Sequence, residues 1–296
     1  MKQIAIIGPT ASGKSDLALN IAQKHDAYIL SIDSLSIYKE IDIASAKPSK
    51  EELASIRHFG INEIYPNENF SVDIFINIYK DALLKAKQES KNLIIVGGST
   101  FYLKSLLQGL SEIPKIDQNI KDEVAKMLLH VKDSYELLYG LDKEYMKNID
   151  SNDAYRIEKM LLIYKASGLT PTEWFLKHPP KPIIEDLEIY NIDVERELLR
   201  ERIEKRSKKM LNMGIIDEVT RLEHRYTREP NSMKSIGILE VLEYLDGLVS
   251  KEKMLENIST HTAQLAKRQQ TFNRTQFKDI ISAPLTELEK IIGSKF

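Results

Sequence analysis

The feature that most constrains this chain lies within its first twenty residues. Gly8-Pro9-Thr10-Ala11-Ser12-Gly13-Lys14-Ser15 satisfies the phosphate-loop pattern G-x-x-x-x-G-K-[ST] in full. A short apolar run, Ile4 to Ile7, enters it, and a helical pattern (Leu17, Ala18, Ile21, Ala22) leaves it. Strand, loop and helix in that order predict the opening unit of a parallel α/β sheet. The loop's physics is that of an anion cradle. Gly8 and Gly13 let the backbone turn so that successive N–H groups face one point. The helix adds its N-terminal partial charge, and Lys14 adds a full one. The Ser15 hydroxyl is placed to hold Mg²⁺. A glycine turn that merely links strand to helix would not need the Lys-Ser pair, so the expected ligand is a di- or triphosphate.

Bulk properties exclude several classes. The formal net charge of −2 supplies no global attraction to nucleic acid, so any RNA partner must be met by a local basic patch. There is no cysteine, which removes disulfides, thiolate metal sites and a cysteine nucleophile. Met1-Lys2 runs directly into the first strand, and no apolar run approaches membrane-spanning length. The expectation is a soluble, cytoplasmic protein without a membrane partner, and a monomer.

A second strand, Ala27 to Ile32, ends on Asp33-Ser34. In open α/β sheets the ligand crevice lies at the carboxyl ends of the strands, so Asp33 is expected beside the phosphate loop. A turn or helix cap explains Asp-Ser equally well. Residues 44–69 read as loop, with His58 assigned no role, and Ser71 caps a helix with Val72, Phe75, Tyr79, Ala82, Leu83 and Ala86 on one face. The third strand, Asn92 to Val96, ends in Gly97-Gly98-Ser99. ATPases of this loop class hold Mg²⁺ with an Asp near that place. Two glycines favour close backbone approach to a ligand instead.

Composition shifts between Pro114 and Pro182, where charged helical segments (120–131, 133–141, 153–167) dominate and Pro179-Pro180-Lys181-Pro182 closes the stretch. This predicts a helical insertion at 114–182 within a core formed by 1–113 and 183–296. Asn152-Asp153 caps a helix carrying Arg156 and Lys159, whose cations are explained by solvation alone. Strand character returns at Leu187 to Val194. A long helix follows from about Glu195 to Met213, with Leu199, Ile203, Ser207 and Met210 along one side. Near the carboxyl end, Thr262 to Arg274 holds three cations, one aromatic and no acid, as a phosphate-contacting helix or a solvated face would.

Taken in order, these blocks resemble the tRNA dimethylallyltransferase (isopentenyltransferase) family. The loop 8–15 is similar to the family's own version. Asp33-Ser34-Leu35-Ser36-Ile37-Tyr38 resembles its D-S-x-x-I-Y block, Ala46-Lys47-Pro48 its A-K-P, and Gly97-Gly98-Ser99-Thr100-Phe101-Tyr102 its G-G-T-x-x-Y. Asn152-Asp153-Ala154-Tyr155-Arg156-Ile157 is similar to N-D-x-x-R-I, Ser235-Ile236-Gly237 to S/A-I-G, and Gln264 to Phe272 to Q-x-A-K-R-Q-x-T-W/F. Four positions depart: Ser99 stands for the usual Thr, Ala263 for Arg, Ile238 for Tyr and Lys159 for Arg.

The resemblance implies a P-loop NTPase-like, three-layer parallel-sheet core with a helical insertion and a helical carboxyl-terminal part. It implies transfer of a dimethylallyl group from dimethylallyl diphosphate to N6 of the adenosine 3′ of the anticodon, in tRNAs reading codons that begin with U. Asp33, Ser99 and Lys14 would be catalytic, Asp33 as base and Ser99 at the leaving oxygen or orienting the adenosine. The whole loop, Gly8, Pro9, Thr10, Ala11, Ser12, Gly13, Lys14 and Ser15, would bind diphosphate, with Ser15 on Mg²⁺. The tRNA anticodon arm would meet Asp33, Ser34, Leu35, Ser36 and Ser99, the segment Tyr155, Arg156, Ile157, Glu158 and Lys159, and Lys267, Arg268 and Gln269. A small-molecule or nucleotide kinase shares the loop, the Asp and a helical lid. An adenylate isopentenyltransferase shares the donor. The third-strand glycines and the basic carboxyl-terminal helix argue against the kinase; that helix and the large insertion favour an RNA acceptor over free adenylate.

Overall fold

The computed structural model describes residues 1–296. Two compact units divide them: Met1–Leu106 with Ile184–Phe296, and Leu107–Ile183. The second unit begins a few residues before the composition shift at Pro114.

In the first unit the chain runs β1 (Gln3–Ile7), α1 (Lys14–Lys24), β2 (Ala27–Ser31), α2 (Lys50–Ser55), β3 (His58–Phe59), α3 (Val72–Gln88), β4 (Asn92–Gly97) and α4 (Phe101–Gln108). The last of these carries the chain into the second unit, which holds α5 (Gln118–Met127), α6 (Val131–Leu141), α7 (Lys143–Met146), α8 (Ala154–Ser167) and α9 (Pro171–Lys177). The first unit then resumes with β5 (Glu188–Ile192), α10 (Arg196–Asn212), α11 (Ile215–Tyr226), α12 (Ile238–Leu245), α13 (Lys251–Gln276), β6 (Ile281–Ala283) and α14 (Leu285–Gly293).

Six parallel strands form one sheet in the order β3-β2-β4-β1-β5-β6. A parallel sheet is covered on both faces, which is why these strands read as near-continuous apolar runs. Ile4 and Ile6 of β1, Ile29 of β2, and Ile94 and Val96 of β4 pack with Leu17 and Ile21 of α1 and Leu288 and Ile292 of α14. Alternation sends Ala5, Ile7 and Ile95 to the other face. There Tyr79 of α3 donates its hydroxyl to Gln3, which shares their parity, at 2.9 Å. A second core joins α10 to α13 with the segment after β2, through Ile37, Tyr38, Ile41, Met210, Ile215, Val219, Ile238 and Val241. No helix is long and apolar enough to cross a membrane.

Register places the site. Ile7 pairs with Gly97 and with Asn191, and Ser31 pairs with Val96. The loops leaving β1, β2 and β4 therefore start level at one edge of the sheet. Those loops are Gly8–Gly13, Asp33–Ser36 and Gly98–Ser99.

The second unit is a small helical body around Val124, Leu138, Met146, Ile157 and Leu161. Its boundaries are locally encoded. Asp153 caps α8 by accepting the Arg156 amide at 3.0 Å, Gly168 ends it in the left-handed conformation, and Thr170 with Glu173 forms a capping box ahead of Pro171.

Candidate active site

The loop between β1 and α1 is held in a shape that few residues could adopt. Gly13 has φ +90°, and a Cβ there would lie 2.6 Å from Leu285 Cδ1. Ala11 has φ +63°, a left-handed backbone that costs an L-residue about 1–2 kcal/mol. It is kept there by neighbours. Ser12 N–H donates to the Pro9 carbonyl at 3.2 Å, Arg202 of α10 donates to the Ser12 carbonyl at 3.2 Å, and the Ala11 methyl packs against Leu199, Ile203 and Ala266. The Ser12 hydroxyl is fully buried and has no hydrogen-bond partner. A buried unpaired hydroxyl costs about 1–3 kcal/mol, and here it is a donor that a phosphate oxygen would satisfy.

Beside the loop lies a cavity of about 480 Å³, lined by Thr10, Lys14 and Ser15 from the loop and α1, Asp33 and Ser36 from the β2 turn, and Lys205, Arg206 and Lys209 from α10. Ile43, Ala46, Pro48, Val96 and Met210 supply its apolar wall. Lys14 is only 8% exposed and donates to the Pro9 carbonyl at 3.2 Å. Burial pulls its ammonium down to about 8; the Asp33 carboxylate opposes that shift and Arg206 adds to it. Arg206, which donates to the Thr10 hydroxyl at 3.2 Å, is likewise lowered by burial and supported by Asp33. Two crowded cations against one carboxylate make a site that gains by receiving an anion.

Asp33 is fixed by its own turn, Oδ1 accepting the amides of Leu35 at 2.9 Å and Ser36 at 3.2 Å. Both readings of Asp33 hold together: it orders a turn and it lines the cavity. Ser99 accepts the Ser34 amide and donates to the Ser34 hydroxyl, both at 3.2 Å, tying the β4 end to the β2 turn. Leu35 packs into the second core, while Ser36 is buried at the cavity.

In the second unit Tyr155 is 69% exposed with the Lys159 ammonium over its ring, and Arg156 pairs with Asp153 at 3.4 Å. Glu158 is half-buried. Ile157 is fully buried in that unit's core, where its side chain packs α8, unlike the exposed Tyr155 and Arg156 beside it. On α13, Lys267 and Arg268 are exposed and border a groove with Gln264, Thr271, Phe272 and Thr275. Gln269 turns inward, its Oε1 accepting the Thr10 amide at 2.8 Å. Ala263, where the family usually carries Arg, lies in the α10–α13 seam beside Ala266.

Sequence reading missed the cations of α10. Only the apolar stripe of that helix was read, although Arg202, Lys205, Arg206 and Lys209 recur at helical spacing beside it. It also missed His58, which stands on β3, lines the cavity and is lowered by burial. Glu218 was missed too. It is 3% exposed and accepts the amides of Asp42, Ile43 and Ala44 at 3.0, 2.8 and 2.9 Å. These contacts brace the cavity wall from α11. Nearby, Lys47 donates to the Tyr38 carbonyl, Asp42 and Asn62.

The family model described as IPP transferase matches residues 36–276. A tRNA dimethylallyltransferase of Sulfurimonas denitrificans is 63% identical, over 99% of both chains, and one of Sulfurovum sp. is 54% identical, over 99% of this chain and 97% of its own. Among solved structures, a eukaryotic dimethylallyltransferase captured acting on tRNA superposes with a TM-score of 0.86 at 26% identity, covering 98% of this chain and 75% of the other. The tRNA isopentenylpyrophosphate transferase of Bacillus halodurans gives 0.72 at 26% identity, over 99% and 96%. Phosphate loop, cavity carboxylate, sheet order and these likenesses converge: the chain belongs to the IPP transferase family, with the tRNA dimethylallyltransferases.

Proposed function

We propose that this protein transfers a dimethylallyl group from dimethylallyl diphosphate to N6 of the adenosine 3′ of the anticodon, in tRNAs reading codons that begin with U. The observation that carries this reading is a single cavity whose walls include both the phosphate loop and Asp33. The names of the relatives support tRNA as the acceptor.

The reaction breaks the bond between the allylic carbon and the diphosphate oxygen and forms a bond from that carbon to N6. The leaving diphosphate collects negative charge. Lys14 and Arg206 line the cavity where that charge would grow, and the unpartnered Ser12 hydroxyl belongs to the same loop, so little reorganisation is needed. N6 is a poor nucleophile because its lone pair is delocalised into the purine. Asp33, held by two backbone amides, accepts the N6 proton as the new bond forms. The apolar wall of Ile43, Ala46, Pro48, Val96 and Met210 suits a branched five-carbon chain and excludes water. The acceptor base must leave its stack to enter, at a cost of a few kcal/mol.

Ser15, Asp16 and Asp33 all line the cavity, and their hard oxygens are of the kind that suits Mg²⁺. No cluster of three or more acidic, His or Cys groups stands ready to cage a metal. Ser15 would therefore hold Mg²⁺ jointly with donor phosphate oxygens and water. There the ion would neutralise charge on the diphosphate.

The test is incubation with labelled dimethylallyl diphosphate and unmodified tRNA. Label is expected in the RNA, and absent from it with Lys14→Ala. Label entering free adenylate but not tRNA, or phosphate moving from ATP to a small acceptor, would overturn the assignment.

A further inference from the structure

We propose that Gln269 is a positioning residue for the donor's diphosphate, acting on the phosphate loop from the inner face of α13. This deepens the transferase reading and rests on it.

The inner face of α13 presents Ala266, Gln269 and Asn273, one side of the helix over two turns. Each meets a different part of the site. Ala266 belongs with Leu199 and Ile203 to the small core against which Ala11 packs. Gln269 Oε1 accepts the Thr10 amide at 2.8 Å, which fixes the amide orientation, since only its oxygen can accept. Asn273, 1% exposed, accepts the Thr100 hydroxyl at 2.7 Å and donates to Asn191 at 3.2 Å. The other end of the Gln269 amide presses on β4's exit. A Cβ on Gly98 would lie 2.4 Å from Nε2 and 3.1 Å from Cδ. The side chain is thus clasped between the phosphate loop and the Gly97-Gly98-Ser99 turn, and it sets the spacing of the two.

Two consequences follow from this geometry. A side chain at Gly98 would have to push the Gln269 amide aside. The same helix shows Lys267 and Arg268 to the outside, so α13 carries its exposed cations and the loop's clasp on opposite faces.

The experiment measures pyrophosphate binding to the RNA-free protein by calorimetry, alongside KM for dimethylallyl diphosphate and for tRNA. Gln269→Leu keeps the volume and removes the acceptor. It is expected to weaken pyrophosphate binding and raise donor KM by about tenfold, the worth of one hydrogen bond. The tRNA KM and its salt dependence should stay unchanged. Gly98→Ala should do the same by displacing the amide, and Gly98→Ala with Gln269→Ala should be no worse than either alone, because the truncated side chain vacates the space. Unchanged pyrophosphate affinity together with a raised tRNA KM would overturn the proposal in favour of direct RNA contact. Strictly additive losses in the double variant would overturn the clasp. Should Gln269→Leu fail to fold, Gln269→Asn, one methylene too short to reach Thr10, carries the same expectations. Because pyrophosphate binding is read without turnover, failure of the transferase assignment would show separately, as binding without prenyl transfer.

Discussion

At the scale of single residues the chemistry divides between one cation and one carboxylate. Lys14→Ala should lower kcat/KM for the donor by about 10²–10³, the loss typical of a missing charge-stabilising donor and equal to about 3–4 kcal/mol. Steady-state kinetics at saturating tRNA measures it. Asp33→Asn keeps an oxygen for the Leu35 and Ser36 amides, so the turn should survive while the base is lost. Prenyl transfer should fall by about 10²–10⁴ with pyrophosphate binding retained; an unchanged rate would remove Asp33 from the proton's path. That Lys14, Ser15 and Asp33 line one cavity could be read ahead, the first two because the phosphate-loop pattern puts them at the head of α1 and the third because it closely follows the end of β2. The place of Arg206 could not. Its role depends on α10 lying against the loop, and nothing in the local spelling of Lys205-Arg206-Ser207 distinguishes a half-buried guanidinium at the cavity from a solvated one. Ile157 shows the converse, since a block recognisable in sequence can contain a side chain that the structure buries in a core.

At the scale of elements, the α13 helix and the segment after β2 carry separate burdens. Replacing Lys267 and Arg268 together by Ala should reduce the slope of log affinity for tRNA against log salt by about 2, with donor KM unchanged. A filter-binding titration across ionic strength checks this. Glu218→Ala strands three backbone amides at the cavity wall, which should destabilise the protein by about 3 kcal/mol or more and shift the denaturation midpoint accordingly. Glu218→Gln keeps one acceptor oxygen and should lie between. Four strands, β1, β2, β4 and β5, were readable as apolar runs. The other two were not. His58–Phe59 is only two residues long, and Ile281–Ala283 only three, too short for any periodicity to declare itself. Both are end strands whose existence depends on a neighbour already being in place. Likewise α2, six residues with no buried side chain, is held by the Ser49–Glu52 capping box and not by an apolar face.

At the scale of the whole molecule, the insertion was visible as a change in composition because a helical body with its own core needs charged outer faces and caps. Its exact edges were not, since they lie where the first unit closes. The Ile184 amide donates to the Leu106 carbonyl at 3.0 Å, so the two ends bordering Leu107–Ile183 are already joined. Replacing 107–183 by a short Gly-Ser linker should therefore leave a cooperatively unfolding protein that binds pyrophosphate and no longer modifies tRNA; calorimetry and the label-transfer assay decide. An insoluble or molten product would show that the sheet unit depends on the excised helices. The strand order also bears on synthesis. β1 is encoded before the insertion, yet one of its two flanking partners, β5, is encoded beyond it. At roughly 5–20 residues per second, a ribosome leaves that flank of β1 without its partner for on the order of ten seconds. Nascent chains stalled before Glu188 should accordingly be captured by chaperones and cut readily by protease, and those released after Ala283 should not.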